Sequence, residues 1–264
     1  MCVLGAIWTN SISIQRLTDY VYIGVDPECS ARLEYVTRLL LALRRCIPIL
    51  EEYYEHLPIQ RATDRFFPRF RTFTNDDGQS IDFKYIGPLV DNATRPIFLA
   101  QTLTGQRIVV KFVRQYNAIA HRHLASQNLA PALLHCGPVA LGTRESYLFM
   151  IVMVYFEGKT AHEPWPKSTD RLPKTIREEV ERAVKELHRI GLVFADLRKP
   201  NIMVATEVNP PQVKLVDFDW CGEHEKGRYP ITLNDNVNDI GWHPDVERNG
   251  IMSQGHDDWM LGKL

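Results

Sequence analysis

With 264 residues, 45% of them apolar, the chain is long enough to bury a core as one domain or as two small lobes. Its 31 Lys and Arg nearly balance 32 Asp and Glu, which argues against a nucleic-acid binder, and basic pairs such as Arg44-Arg45 read as solvated helix surface. Five cysteines, an odd count with no C-x-x-C spacing, argue against a zinc site or a disulfide framework and for free thiols in a reducing compartment.

Met1 to Trp8 is apolar but has no basic flank and is broken at Thr9 and Asn10. It reads as a buried or capping segment, not as a signal peptide or membrane span, so a cytoplasmic or nuclear chain with no membrane partner is expected. Ala31 to Leu57 carries a helical pattern with Leu33, Val36, Leu40, Leu43 and Ile47 on one face, and Pro48 is expected to kink or split it. Gln60 to Arg71, with Phe66-Phe67-Pro68, reads as an irregular connection. From Ile81 the period becomes that of strands: Ile81–Val90, Pro96–Leu103 and Arg107–Val113, with turns at Asp91-Asn92 and Thr104-Gly105. A short helix, Ala118–Gln127, precedes two more strands, Ala132–Val139 and Tyr147–Tyr155, joined by a turn at Gly142 to Glu145. Five strands with one helix make an α+β lobe.

A polar, Pro-rich stretch from Thr160 to Pro173 opens the second half. Ile176, Val180, Ala183, Val184 and Leu187 then trace a helix face that Gly191 terminates. Short apolar strands follow at Leu192–Phe194, Ile202–Val204 and Val213–Val216.

The chemistry lies around those strands. In LVFADLRKPNIMV, Asp196 and Asn201 stand five apart on a loop, and in VKLVDFDW Asp217 directly follows an apolar strand. Phosphoryl transfer asks a protein for positioning and for neutralisation of phosphate charge. One carboxylate must orient and deprotonate the attacking hydroxyl; a second carboxylate and an amide oxygen must hold Mg²⁺; a lysine must reach the phosphates. Asp196, Asp217, Asn201 and Lys111 can fill these roles in that order.

Asp196-Leu197-Arg198-Lys199-Pro200-Asn201 resembles the D-L-x-x-x-N catalytic loop of protein kinases, Asp217-Phe218-Asp219 resembles D-F-G, and Val109-Val110-Lys111 resembles the strand with the nucleotide-binding lysine. The strings VVKFVRQY, HRHLASQNLAP and DLRKPNIMV are similar to a group of protein-kinase-like proteins predicted in fungi. The resemblance spans about residues 65 to 264. It implies a two-lobed α+β protein-kinase-like fold with a reduced C-lobe: a helical extension over 1–64, an N-lobe with hinge over 65–158 and a short C-lobe over 159–264. ATP and Mg²⁺ are the implied cofactors, with backbone groups of Val154, Tyr155 and Phe156 at the adenine edge. Asp257-Asp258-Trp259 resembles the D-x-W of the central C-lobe helix, which implies that Asp257 braces the catalytic loop.

Four departures stand beside the likeness. No Gly-rich loop lies between the first two strands, where Gly87 is alone. The helix after Lys111 offers no glutamate to pair with it, which leaves the lysine loosely held. H-R-D has become Phe194-Ala195-Asp196, and D-F-G has become D-F-D, which adds a carboxylate near the metal. The chain also stops soon after Trp259, as a reduced lobe or a truncated one. The resulting expectation is an ATP-dependent phosphotransferase acting on a protein or small-molecule hydroxyl, with a pseudokinase or nucleotide sensor as the alternative.

Overall fold

The structure, a computed structural model, describes residues 4–8, 12–16, 30–56, 70–90, 96–140, 147–167, 169–234 and 240–264. The turns predicted at Asp91-Asn92 and Gly142–Glu145, and the Phe66-Phe67-Pro68 stretch, lie outside these residues. The chain forms two compact units, Met1–Arg69 with Asn92–Thr94, and Phe70–Asp91 with Arg95–Leu264.

In the first unit, β1 (Leu4–Trp8) pairs antiparallel with β2 (Ile12–Arg16), where the sequence had suggested a single capping segment. Helix α1 (Ser30–Glu55) continues through Pro48, so of the kink or split expected there the split does not occur. Its predicted apolar face is not a buried one: Leu33, Leu40 and Ile47 are exposed.

The second unit begins with a six-stranded antiparallel sheet. Its strands are β3 (Thr72–Thr74), β4 (Ser80–Pro88), β5 (Ile97–Thr102), β6 (Arg107–Val113), β7 (Leu133–Ala140) and β8 (Tyr147–Val154), in the order β3-β4-β5-β6-β8-β7. Strand β3 was not anticipated, since three residues are too short to show a period. The apolar run of β8 follows from its place between β6 and β7, with Met150, Ile151, Val152 and Met153 all buried. Helix α2 (Ala118–Ser126) inserts between β6 and β7, capped by Asn117, whose side chain accepts from the Ala120 amide.

Beyond β8 come β9 (Lys159–Thr160), α3 (Lys174–Arg189), β10 (Leu192–Val193), β11 (Ile202–Ala205), β12 (Gln212–Leu215), β13 (Gly222–Glu223) and α4 (Gln254–Leu261). Strands β12, β11 and β9 form a small sheet, and β10 pairs with β13. All five residues predicted for the inner face of α3 are buried, each removing apolar area worth roughly 1–3 kcal/mol from water. Gly191, with φ of +76°, takes the left-handed position that ends this helix. Ile176, Val184 and Leu187 share one core with Leu124 of α2, Phe194, Phe218 and Met260 of α4. That core fixes the loops between the short strands. Among the described residues no helix is long and apolar enough to cross a membrane.

Candidate active site

Strand β6 lies between β5 and β8, with Lys111 opposite Ile97 on one side and Ile151 on the other. Lys111 is only 6% exposed, and a lysine is seldom so buried unless paired. Its Nζ donates to Asp217 Oδ1 at 2.5 Å and to Asp219 Oδ1 at 2.6 Å. Burial by itself would lower the ammonium pKa; the two carboxylates outweigh it and raise the value. Burial, with Asp217 alongside, pushes the Asp219 carboxyl up against the pull of Lys111.

Asp196 and Asn201 both lie in the loop between β10 and β11, which closes with a 3₁₀ turn at Lys199–Asn201. Asn201 Nδ2 donates to the Asp196 carbonyl at 2.9 Å and to Asp196 Oδ2 at 2.8 Å. Arg198 grips the same carboxylate with two donors, Nε to Oδ1 and Nη2 to Oδ2, the latter at 2.7 Å. Asp196 is nearly buried, and that burial holds its carboxyl above the ordinary value despite Arg198. The Val216 amide donates to the Asn201 carbonyl at 3.0 Å, tying this loop to the strand end that carries Asp217.

Two backbone outliers mark the site. Asp217 has φ of +73° and Ala195, just before Asp196, has φ of +68°. For alanine that conformation costs about 1–2 kcal/mol, and such strain gathers where function requires it. Asp257 on α4 offsets it. Its Oδ2 accepts from the Phe194 amide at 2.7 Å and its Oδ1 from the Ala195 amide at 2.9 Å, with His188 Nε2 at 3.1 Å. A buried carboxylate that accepts several donors is a rigid brace, the role implied for Asp257 by the sequence.

The four residues singled out for phosphate chemistry thus meet in one region through two linked clusters, Lys111 with Asp217 and Asp196 with Asn201. The side chains that could hold a hard divalent cation here are Asp217, with a carboxylate, and Asn201, whose NH₂ is turned to Asp196 and whose Oδ1 is an oxygen donor. A cavity of about 840 Å³ opens beside the 196–201 loop, lined in part by Arg171, Leu197, Arg198, Lys199, Met260 and Lys263.

No family model matches the chain. Over 156 residues it is 26% identical to the serine/threonine-protein kinase pkn3 of Myxococcus xanthus, which covers 53% of this chain and 28% of that protein. Over 126 residues it is 28% identical to the serine/threonine-protein kinase PKZ1 of Phytophthora infestans, covering 40% of this chain and 29% of the relative. The chain therefore spans less than a third of the length of these curated relatives. Among solved structures, the kinase PK-1 of the Cydia pomonella granulovirus superposes with a TM-score of 0.51, at 14% identity, over 68% of this chain and 65% of that one. The fold is protein-kinase-like.

Within that kinase-like frame, two expectations change. Lys111 is not loosely held, because Asp219 stands where no helix glutamate does. That role was missed: D-F-D shows an extra carboxylate in the sequence, but not where it points. The stretch Val154 to Phe156, expected as an adenine edge, also has fewer free amides than expected. The Val154 amide is spent on the Ala132 carbonyl at 2.9 Å and the Tyr155 amide on the Arg107 carbonyl at 3.0 Å. Of the three hinge amides, Phe156 is the one left to donate, beside the carbonyls of the stretch.

His121 lies on α2. It is fully buried, stacked on Phe218 at 4.7 Å between ring centroids. Its Nε2 lies 2.8 Å from the Pro131 carbonyl, which can only accept, so Nε2 carries the proton and Nδ1 accepts from the Tyr116 hydroxyl at 2.7 Å. Burial lowers its pKa to about 4 and keeps it neutral.

Proposed function

We propose that the chain is an ATP-dependent phosphotransferase of the protein-kinase-like class, passing the γ-phosphate of ATP to a hydroxyl of a protein or small molecule. The observation that carries this reading is the convergence of Lys111, Asp217, Asn201 and Asp196, from three separate stretches of chain, into one hydrogen-bonded assembly. In this reading Asp196 orients and deprotonates the acceptor hydroxyl, and its burial makes it a stronger base than an exposed carboxylate. Lys111 binds the phosphates, and Asp217 with Asn201 Oδ1 holds Mg²⁺, which when bound neutralises phosphate charge. The Phe156 amide and neighbouring carbonyls bind the adenine edge. The cationic lining of the cavity beside Arg198 suits an acceptor that carries negative charge.

A second reading, a pseudokinase or nucleotide sensor, draws on one feature: the charged side chains neutralise one another, Lys111 with two aspartates and Arg198 with Asp196. Melting curves of the purified protein with ATP, with and without Mg²⁺, test both. A ligand that binds only the folded state raises the melting temperature by mass action. A Mg²⁺-dependent rise that Asp217→Asn abolishes, followed by turnover in the parent, is the expected result. A rise without turnover selects the sensor, and no rise at millimolar ATP removes the phosphotransferase reading.

A further inference from the structure

Lys111 has two carboxylate partners, and neither comes from α2. That helix, AIAHRHLAS, contains no acidic residue, and its buried His121 packs on Phe218. The D-F-D turn is instead tied to the segment leading into α2. Gln115 Nε2 donates to the Asp219 carbonyl at 2.9 Å, the Asn117 amide donates to the Phe218 carbonyl at 3.2 Å, and Asn117 Nδ2 donates to the Cys221 carbonyl at 3.1 Å. These three bonds fix the backbone on either side of Asp219 and hold its Oδ1 at 2.6 Å from Lys111 Nζ, beside Asp217 Oδ1 at 2.5 Å.

The two carboxylates are not equivalent once a nucleotide and a cation arrive. Asp217 is the metal ligand of the proposed reading, and a carboxylate shared with a divalent ion neutralises a lysine less. With Asp217 as its only carboxylate, Lys111 would then be a buried ammonium on a flexible four-carbon stem, aimed only by that shared charge and the Tyr116 ring 5.9 Å away. We propose that Asp219 is the standing partner of Lys111, a positioning residue that keeps the ammonium directed at the nucleotide phosphates while Asp217 serves the cation. This rests on the phosphotransferase reading and deepens it. The lysine's anchor sits on the metal loop itself, so the lysine and the metal carboxylate are placed by one backbone segment and no swing of α2 is needed to complete the site.

The test compares the parent with Asp219→Asn, Asp219→Gly and Asp219→Glu, measuring the melting temperature, ATP affinity in Mg²⁺ and in EDTA, and kcat and KM for ATP. The Asn and Gly variants are expected to lose about ten- to hundredfold in kcat/KM and in ATP affinity with Mg²⁺, the worth of one charged hydrogen bond. In EDTA, where Asp217 still holds the lysine and one repelling charge has gone, their ATP affinity should equal or exceed that of the parent. Asp219→Glu, which keeps the carboxylate, should recover most of the loss. Equal weakening with and without Mg²⁺ would point to a merely structural role and overturn the inference. So would a Gly variant as active as the parent, even though it restores D-F-G. A parent that binds ATP while all three variants match it leaves the phosphotransferase reading standing and removes this inference alone. A parent that binds no ATP in either condition removes both.

Discussion

At the scale of single residues the site is a set of buried and half-buried charges held by geometry. Asp196 faces three donors from Arg198 and Asn201, yet burial still leaves its carboxyl above the ordinary value. Removing its charge should therefore affect proton transfer more than nucleotide binding. Asp196→Asn is expected to slow turnover by about a hundred- to ten-thousandfold, the usual weight of a general base, with ATP affinity in Mg²⁺ unchanged; single-turnover kinetics beside a binding titration checks both. The spacing of Asp196 and Asn201 was legible in the sequence because a loop between two short strands keeps both residues local. The pairing of Lys111 with Asp219 was not, because the partners are 108 positions apart and nothing local records which way the second aspartate turns.

At the scale of elements, α2 is the informative one. Its length and start were readable from the pattern, but its inner face holds a neutral histidine in a mainly apolar contact. The buried His121 ring cannot take a second proton without losing the Tyr116 hydroxyl as a donor and placing charge beside Phe218, with Arg122 and Lys111 also opposing it. Its folded pKa, about 4, lies below the ordinary 6.5. Between these values the unfolded chain binds a proton that the folded one does not, so this contribution to stability is intact above pH 6.5 and is lost as the pH falls toward 4. The loss is about 3 kcal/mol at most. Urea unfolding across pH 4 to 7 should show it, and the slope should shrink in His121→Gln; an undiminished slope in that variant would assign the titration elsewhere. Helix α1 gave the opposite lesson. Its apolar periodicity was clear, yet Leu33, Leu40 and Ile47 stay exposed, since periodicity states which residues share a face and not whether anything covers it.

At the scale of the whole molecule, the chain divides into two compact units, Met1–Arg69 with Asn92–Thr94 and Phe70–Asp91 with Arg95–Leu264. The second unit holds the six-stranded sheet, the core shared by α2, α3 and α4, and every residue proposed for phosphate chemistry. We propose that this division is functional as well. A chain of residues 65–264 should unfold cooperatively and keep the Mg²⁺-dependent rise in melting temperature with ATP. Loss of that rise in a still-folded fragment would give residues 1–64 a part in nucleotide binding.

The sequence by itself determined the order and period of most strands and helices in the second unit, the loop spacing of Asp196 and Asn201, and the position of Asp217 at a strand end. These are local properties, set by side-chain alternation, turn residues and a few bonds of the chain. The tertiary structure alone decided the rest: that Lys111 is gripped by Asp217 and Asp219 and not by a helix, that the Val154 and Tyr155 amides are already spent, and that Asp257 holds the strained Ala195 backbone in place. Those outcomes depend on which distant donors and acceptors the packed core brings within 3 Å of one another, and no local pattern encodes that distance.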